Sequence, residues 1–386
     1  MKKRLLALLL ALAMGLTLAA CSAPAAEDPT PSVDPTESPT ASTEPAIEAD
    51  LSQDVLSFAG GDLVHGEPLV TVNGQVVPNT LFLYWLSYTA SYYESMLYYY
   101  GMTVADYAPV ILEEACSLAA YYTTLSQKAQ ELGCILTDDQ QAAVDEAMAV
   151  GSEDHQRRLD LYGLTNEDLL QIYSLTDYYD NLMAMLIPAP TEEDLNNYVY
   201  QVKHILISTA ASAADGVITL NTGDTVEYAG TVEEYNAAAL AKAEDLLAQI
   251  LAAEDMGATF DTLMHEHSED GRDAEGNLGA PDGYTATPGE MVAEFEETAF
   301  AIGIGEVSDV VESTYGYHII LRGEVENIQD YTEDYNINQM DSLVTQWLTE
   351  AEVERSDALE TLDVAQFYER LVAWQNAYME ANTVAE

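Results

Sequence analysis

Residues 201–209 read QVKHILIST, and residues 315–323 read YGYHIILRG. Each stretch places one histidine inside a run of aliphatic and aromatic residues, which is typical of a buried central strand. An imidazole in such a strand needs a hydrogen-bonding partner, because an unpaired polar group is costly to bury. The two stretches therefore predict two buried strands in which His204 and His318 each require a polar partner.

The sequence between the two stretches predicts a small α+β unit. Residues 216–228 alternate on both sides of a Thr-Gly turn, which indicates a hairpin. Helices are predicted at 232–252, at 259–270 and at 289–302, where Met291, Phe295 and Ala299 recur every four residues. Two closing strands are predicted, one at 305–314 and one at 315–323, which contains His318. The order of strand, helices and strands is typical of an α+β fold with a small antiparallel sheet.

The segments on either side of this unit predict helices. Residues 69–78 form a hairpin around an Asn-Gly turn, and residues 79–186 then read as helices. The C-terminal part, from about residue 330, is helical again. Apolar helices at this end need a surface to bury against, so we expect one all-α domain built from both ends of the chain, with the α+β unit inserted.

The N-terminus predicts export. Basic residues at positions 2–4 precede an apolar run that ends in LAAC at 18–21, so residues 1–20 are expected to be a secretory signal. The small residues before Cys21 resemble the lipobox of bacterial lipoproteins, which implies a lipid on the Cys21 thiol; the alternative is an ordinary signal peptide. Residues 21–65 begin as a run of Pro, Ser, Thr and acids and predict a disordered, acidic linker.

The charge excludes several classes of partner. The chain has 67 acidic and 12 basic residues, a net charge of −55, and three of the basic residues belong to the predicted signal. Nucleic acid is therefore excluded as a partner. Attraction to anionic lipid is not expected either, so the membrane contact is assigned to the N-terminal lipid. Cys116 and Cys134 lie in apolar helical sequence, where a disulfide and two free thiols remain equally compatible with the pattern.

Several blocks resemble, in order, the parvulin family of peptidyl-prolyl isomerases. They are KHILI (203–207), FDTLMHEHSED (260–270), GNLG (276–279), GEMVAEFEETAFAIGIGEVSDVV (289–311) and TYGYHIIL (314–321). The hairpin, the helical flanks and the lipobox are similar to the PrsA- and SurA-type foldases. Three features depart from the usual parvulin pattern: GNLG stands where Gly-Gly-Asp-Leu-Gly is common, the segment APDGYTATP (280–288) is added, and the hairpin-like insertion after His204 is longer than in a minimal parvulin.

The resemblance implies where the site lies. It implies four catalytic residues that share one hydrogen-bond network across neighbouring strands: His204, Asp270, His318 and Ser313. It also implies three substrate-binding residues that hold the proline ring: Leu278, Met291 and Phe295. An alternative for the two histidines is a satisfied core pair that only rigidifies the sheet.

The chemistry of X-Pro isomerisation fits these residue types. The barrier of about 20 kcal/mol comes from lost amide resonance, so no bond is broken and no nucleophile is required. An apolar socket and a preorganised polar network suffice, and we expect non-covalent catalysis with no metal and no cofactor. His265 and His267 could suggest a metal site, but side chains two apart on a helix diverge.

These inferences give one expected organisation. The predicted parts are a signal (1–20), a lipid-anchored linker (21–65), an N-terminal helical SurA-like chaperone domain (66–200), a parvulin domain (201–325) and C-terminal helices that pack on the N-terminal domain (326–386). The expected function is that of an isomerase and chaperone that acts on unfolded exported proteins with X-Pro bonds, on the outer face of the cell membrane.

Two alternatives remain open on the sequence. One is a non-catalytic holdase with a degenerate parvulin domain. The other is a solute-binding lipoprotein, although that class needs two similar lobes of alternating strands and helices, which this sequence does not show.

Overall fold

The computed structural model describes residues 47–149, 153–272 and 276–383. The described chain forms two compact units: one contains the residues up to Ile187 and from Gln339 onward, and the other contains Pro188–Asn338. The predicted signal, Cys21 and the first part of the predicted linker lie outside the described residues.

The helices are, in chain order, α1 Val55–Gly60, α2 Asn79–Leu97, α3 Ala108–Glu131, α4 Asp138–Ala147, α5 Glu153–Tyr162, α6 Asn166–Leu186, α7 Glu192–Asn196, α8 Val232–Ala252, α9 Met256–His267, α10 Ala293–Ala301, α11 Thr332–Glu350, α12 Asp357–Glu360 and α13 Val364–Thr383. The strands are β1 Val70–Val72, β2 Gln75–Val76, β3 Tyr200–Ser208, β4 Ala210–Ala214, β5 Val217–Leu220, β6 Thr225–Glu227, β7 Tyr284–Ala286, β8 Val311–Glu312, β9 Gly316–Gly323 and β10 Val353–Arg355.

The first unit is mainly helical, and its core contains residues from both ends of the chain. One apolar cluster joins side chains of α1, α2 and α3 to Phe367, Leu371 and Trp374 of α13. The Trp374 indole donates from Nε1 to the carbonyl oxygen of Gln53 at 3.1 Å. The C-terminal helix therefore packs on the first residues that the structure describes.

The predicted linker extends too far along the chain. Val55 and Leu56 of α1 are fully buried, so the folded body begins before residue 66. Asp54 caps α1 by accepting a hydrogen bond from the backbone N–H of Ser57. The acidic composition of the preceding residues concealed this short helix, whose apolar residues are too few to give a clear period.

The helical unit also contains a small sheet that the sequence indicated only in part. The predicted Asn-Gly hairpin is confirmed: β1 and β2 pair antiparallel, and both Asn73 and Gly74 have positive φ. The strand β10, however, lies inside the segment predicted to be helical, and it pairs antiparallel with β1. Its three residues are all exposed, so no alternation of apolar and polar residues marked it.

The second unit is built on a four-stranded antiparallel sheet. The strand order is β7-β3-β9-β8, so the two histidine-bearing strands are the central ones. In the β3–β9 pair, His204 lies opposite Ile320 and Leu206 lies opposite His318. Because residues two apart on a strand share a face, His204 and His318 project from the same face as diagonal neighbours.

The two faces of this sheet carry different helices. Ile205, Ile207 and Ile319 pack against α8 and α9 on one face. Val202 and Ile320 pack with Phe295 and Ala299 of α10 on the other face, which is the face of the histidines. The helix α10 begins at Ala293, so Met291 precedes it; the prediction that Met291 lies within this helix is wrong.

The predicted hairpin at 216–228 is confirmed, as β5 and β6 pair antiparallel. The strand β4, which sequence reasoning missed, adds to β5 and makes a three-stranded sheet. Its sequence, AASAA, has no large apolar residue, and four of its five residues are exposed.

The boundaries of the second unit lie farther out than 201 and 325. The guanidinium of Arg322 is buried and donates to the carbonyl oxygens of Phe300, Ile302 and Asn196, which ties α7 to β9. The hydroxyl of Tyr198 also donates to the carbonyl oxygen of Asp334. These contacts hold the entering and leaving segments of the chain in this unit.

Among the described residues, none of the helices combines the length and the apolar character that crossing a membrane requires. Cys116 and Cys134 are free thiols, of which Cys116 is buried. Of the two alternatives that the sequence left open for this pair, the structure therefore has the free thiols.

Candidate active site

The four predicted catalytic residues form one continuous chain of polar contacts. Ser313 Oγ lies 2.7 Å from His318 Nε2, and His318 Nδ1 lies 3.2 Å from His204 Nδ1. His204 Nε2 then lies 3.0 Å from Asp270 Oδ2. The two imidazole rings are nearly parallel, with an interplanar angle of 10° and centroids 5.4 Å apart. The structure thus brings these four residues together, and each buried imidazole is the partner of the other.

The pKa shifts set the charge states of two members of this network, His318 and Asp270. Burial chiefly, and then the charge of His204, lower the pKa of His318 to about 3, so this ring is neutral near pH 7. The hydrogen bond from His204 lowers the pKa of Asp270 although burial opposes this shift, so Asp270 is a carboxylate that accepts. For a neutral imidazole pair, His204 donates from Nε2 to Asp270, His318 donates from Nδ1 to His204, and Ser313 donates to His318 Nε2.

Ser313 is itself held by the turn before β9. Its hydroxyl oxygen accepts from the backbone N–H of Tyr315 at 3.1 Å. The backbone N–H of Ser313 donates to the carbonyl oxygen of Gly316 at 2.9 Å. The hydroxyl proton of Ser313 is therefore free to point at His318 Nε2, as the hydrogen-bond direction given above requires.

The loop after α9 holds Asp270 against β3. The buried hydroxyl of Ser268 accepts from the backbone N–H of Leu206 at 3.1 Å, and the N–H of Glu269 donates to the Leu206 carbonyl oxygen at 2.8 Å. Arg272 closes the loop by donating to the carbonyl oxygens of Ser268 and His265. The carboxylate of Asp270 is thus carried by a loop that is fixed at several backbone positions.

Phe295 and Met291 belong to one apolar wall, and Phe295 lies beside the histidines. The ring of Phe295 stands edge-on to His204 at 5.0 Å and to His318 at 5.3 Å between centroids, and its side chain is almost fully buried. Met291 is partly buried against the same cluster. Phe295 therefore lies next to the imidazoles, and Met291 packs in the same apolar cluster.

Leu278 does not join this wall. It is partly buried against the cluster on the opposite face of the sheet, with Val307 and Leu321. The cause is local: Leu278 forms a β-bridge with Arg272, and the N–H of Gly279 donates to the carbonyl oxygen of Gly271 at 2.9 Å, so both residues are held against the segment that follows α9. The prediction that Leu278 shares one pocket with Met291 and Phe295 is wrong in this structure.

Sequence reasoning missed one residue of the site, Tyr284. Its hydroxyl donates to Asp270 Oδ2 at 2.6 Å, and its ring stands edge-on to His204 with centroids 5.7 Å apart. It lies on β7, within the segment 280–288 that the sequence marked only as an addition to the usual pattern. The Asp-Gly pair before Tyr284 was the available signal, because such pairs mark turns, after which a strand can begin.

Within the described ranges, no group of three or more His, Cys, Asp or Glu side chains has the geometry to hold a metal ion.

Truncating Met291 tests the apolar wall. We expect Met291→Ala to lower kcat/KM on a proline peptide about fivefold, because it removes about 1 kcal/mol of apolar contact with the substrate ring. Met256→Ala is the matched control, since Met256 is also partly buried but packs on the opposite face of the sheet. Equal losses in both variants, measured by single-turnover isomerisation, contradict a specific role for Met291.

Comparisons with known proteins relate the histidine-bearing segment to a known family. Residues 204–324 match the family model of the Rotamase, PPIC-type PPIASE domain. The foldase protein PrsA of Geobacillus kaustophilus is 40% identical over 96 residues, which are 24% of this chain and 32% of that protein. PrsA of Oceanobacillus iheyensis is 28% identical over 256 residues, 61% of this chain and 81% of that protein. The chain thus spans about a third of the first relative and most of the second.

Among solved structures, the peptidylprolyl isomerase PrsA of Bacillus cereus aligns with 18% identity and a TM-score of 0.32, covering 69% of this chain and 90% of that chain.

Proposed function

We propose that the protein catalyses the cis–trans isomerisation of X-Pro bonds, because residues 204–324 are a parvulin-type peptidyl-prolyl isomerase domain in a PrsA-like chain. The observation that carries the proposal is the buried network of His204 and His318, bounded by Asp270 and Ser313, directly beside the apolar side chain of Phe295. This arrangement supplies both parts that the reaction needs, an apolar wall and a fixed polar floor.

The proposed mechanism is non-covalent. The wall of Met291 and Phe295 holds the proline ring while the preceding carbonyl rotates. A twisted amide has lost its resonance and its charge separation, so a weakly polar surrounding favours it over the planar ground state. The network beneath contributes dipoles whose orientation is already set by internal hydrogen bonds, so they need not reorganise during the rotation.

An exchange experiment tests the activity. Two-dimensional NMR exchange spectroscopy of a proline tetrapeptide with the full chain is expected to show cis–trans exchange on the sub-second scale, against tens of seconds without protein. Unchanged exchange at stoichiometric protein concentration contradicts the proposal.

The charge of the second unit predicts a substrate preference. All four Lys and Arg residues of 188–338 are engaged internally: Lys203 with Asp261, Lys242 with Glu269, and Arg272 and Arg322 with backbone carbonyls. Each Lys and Arg side chain of this unit therefore already has an acidic or carbonyl partner within the unit.

We expect a Lys-Pro tetrapeptide to turn over about threefold faster than its Glu-Pro counterpart at low ionic strength, because the acidic surface attracts the first and repels the second. The ratio of the two kcat/KM values is expected to approach one in 0.5 M NaCl, where charges are screened. A preference for Glu-Pro contradicts this prediction.

The proposal extends to the cellular role. Anchored through a lipid on Cys21, the chain assists the folding of exported proteins on the outer face of the cell membrane. This is supported by the lipobox-like sequence at 18–21 and by the likeness to PrsA foldases. Metabolic labelling with radioactive palmitate tests the anchor: the wild-type chain is expected to take up label, and Cys21→Ala is not. Equal labelling of the two chains contradicts the anchor.

A further inference from the structure

Tyr284 touches two members of the catalytic network at once. Its hydroxyl donates to Asp270 Oδ2 at 2.6 Å, and the same oxygen lies 3.0 Å from His204 Nε2. Its ring meets the ring of His204 at 70°. The Asp270 carboxylate thus receives two donors on one oxygen, one from β3 and one from β7.

The backbone fixes Tyr284 in this position. β7 pairs antiparallel with β3, with Tyr284 opposite Val202, so the tyrosine projects from the face that carries His204. Gly283 permits the close approach: its φ is +85°, and a Cβ there would lie 2.2 Å from the carbonyl oxygen of Val202. Gln201 also donates to the carbonyl oxygen of Asp282 at 3.0 Å. The added segment is therefore seated on β3 by its backbone.

Tyr284 is a donor at any pH at which the protein works. Burial chiefly, and then the hydrogen bond to Asp270, raise the pKa of Tyr284 to about 12. Three titratable groups face Asp270 from the strands packed against it: His204 from β3, His318 from β9 and Tyr284 from β7. Arg272 is two residues from Asp270 in sequence, but its guanidinium donates to the backbone carbonyl oxygens of Ser268 and His265 and not to the Asp270 carboxylate.

We propose that Tyr284 is a positioning residue of the isomerase site: its hydroxyl holds Asp270 where the carboxylate orients His204 and, through it, His318. This inference rests on the proposed isomerase function. The added segment 280–288 then contributes to the site, because it carries Tyr284, the second hydrogen-bond donor to the Asp270 carboxylate. Without that donor the half-buried carboxylate keeps one protein partner on Oδ2 and can turn away from His204.

The test is Tyr284→Phe in the full chain, which removes the hydroxyl and keeps the ring. We expect kcat/KM to fall about tenfold at pH 7, since hydrogen bonds to charged groups are among the stronger ones. We also expect the acid limb of the pH profile of kcat/KM to move to higher pH, because Asp270 loses a donor that favours its ionised form. Tyr228→Phe is the control, as Tyr228 packs against Tyr235 away from the site.

A double-mutant comparison separates positioning from a structural role. On an Asp270→Asn background, Tyr284→Phe is expected to cost less than twofold, because its target is gone. If Tyr284→Phe alters the melting temperature but leaves kcat/KM and the pH profile of an active chain unchanged, the positioning role is refuted. If the wild-type chain itself shows no isomerase activity, the proposed function fails instead.

Discussion

Replacing His318 by leucine is expected to lower kcat/KM on a proline tetrapeptide about 100-fold. Leucine has a similar volume but no ring nitrogen, so His204 Nδ1 and Ser313 Oγ both lose the partner that the structure gives them. Removing one preorganised polar group from a catalytic site commonly costs a factor of this order. The loss is expected in kcat more than in KM, because the wall of Met291 and Phe295 that binds the proline ring is left in place.

The control for this variant is His265→Leu, which makes the same chemical change at an exposed position of α9. Both variants are compared with wild type by NMR exchange spectroscopy, after circular dichroism has shown that the sheet is retained. A folded His318→Leu chain with wild-type turnover means that the histidines are only a structural pair. A wild-type chain that suppresses aggregation without isomerising peptides supports the holdase alternative.

The sequence indicated the centre of this site because its signals are local and chemically unusual. A histidine inside a run such as KHILI or YHIIL is difficult to explain without a partner, and two such runs imply central strands. Their antiparallel register then places His204 and His318 diagonally, as found. Met291 and Phe295 were assigned to the site by the resemblance to parvulins, whereas their spacing of four indicated only a helix, which in the structure begins after Met291.

The parts that sequence reasoning missed depend on contacts between distant segments. Tyr284 reaches Asp270 only because a glycine lets β7 approach β3, and nothing in APDGYTATP by itself names the partner of the tyrosine. Leu278 sits in a matching motif, yet a loop closed at Gly271 and Gly279 directs it to the other face of the sheet. The exposed strand β10 forms by pairing with β1, which is far away in sequence.

Acid is expected to destabilise the second unit through His318. The buried ring has a pKa lowered to about 3, whereas an unfolded chain gives histidine a pKa of about 6.5. Between these pH values His318 binds a proton in the unfolded chain but stays neutral in the folded site. The free energy of unfolding therefore falls as the pH falls. The slope is at most about 1.4 kcal/mol per pH unit, and the loss between pH 7 and pH 5 is about 2 kcal/mol.

His318→Leu isolates this effect, because it removes the one proton at issue and leaves the other titrating groups in the chain. Asp270 does not interfere in this window: the hydrogen bond from His204 lowers its pKa, so the stability it contributes is lost only at lower pH. Urea-dependent hydrogen exchange of peptides from β3 and β9, at pH 7 and pH 5, measures the unfolding of this unit. Wild type is expected to lose about 2 kcal/mol more than His318→Leu. Equal losses in both chains mean that His318 takes up its proton in the folded site, and a neutral His318 at pH 5 is then untenable.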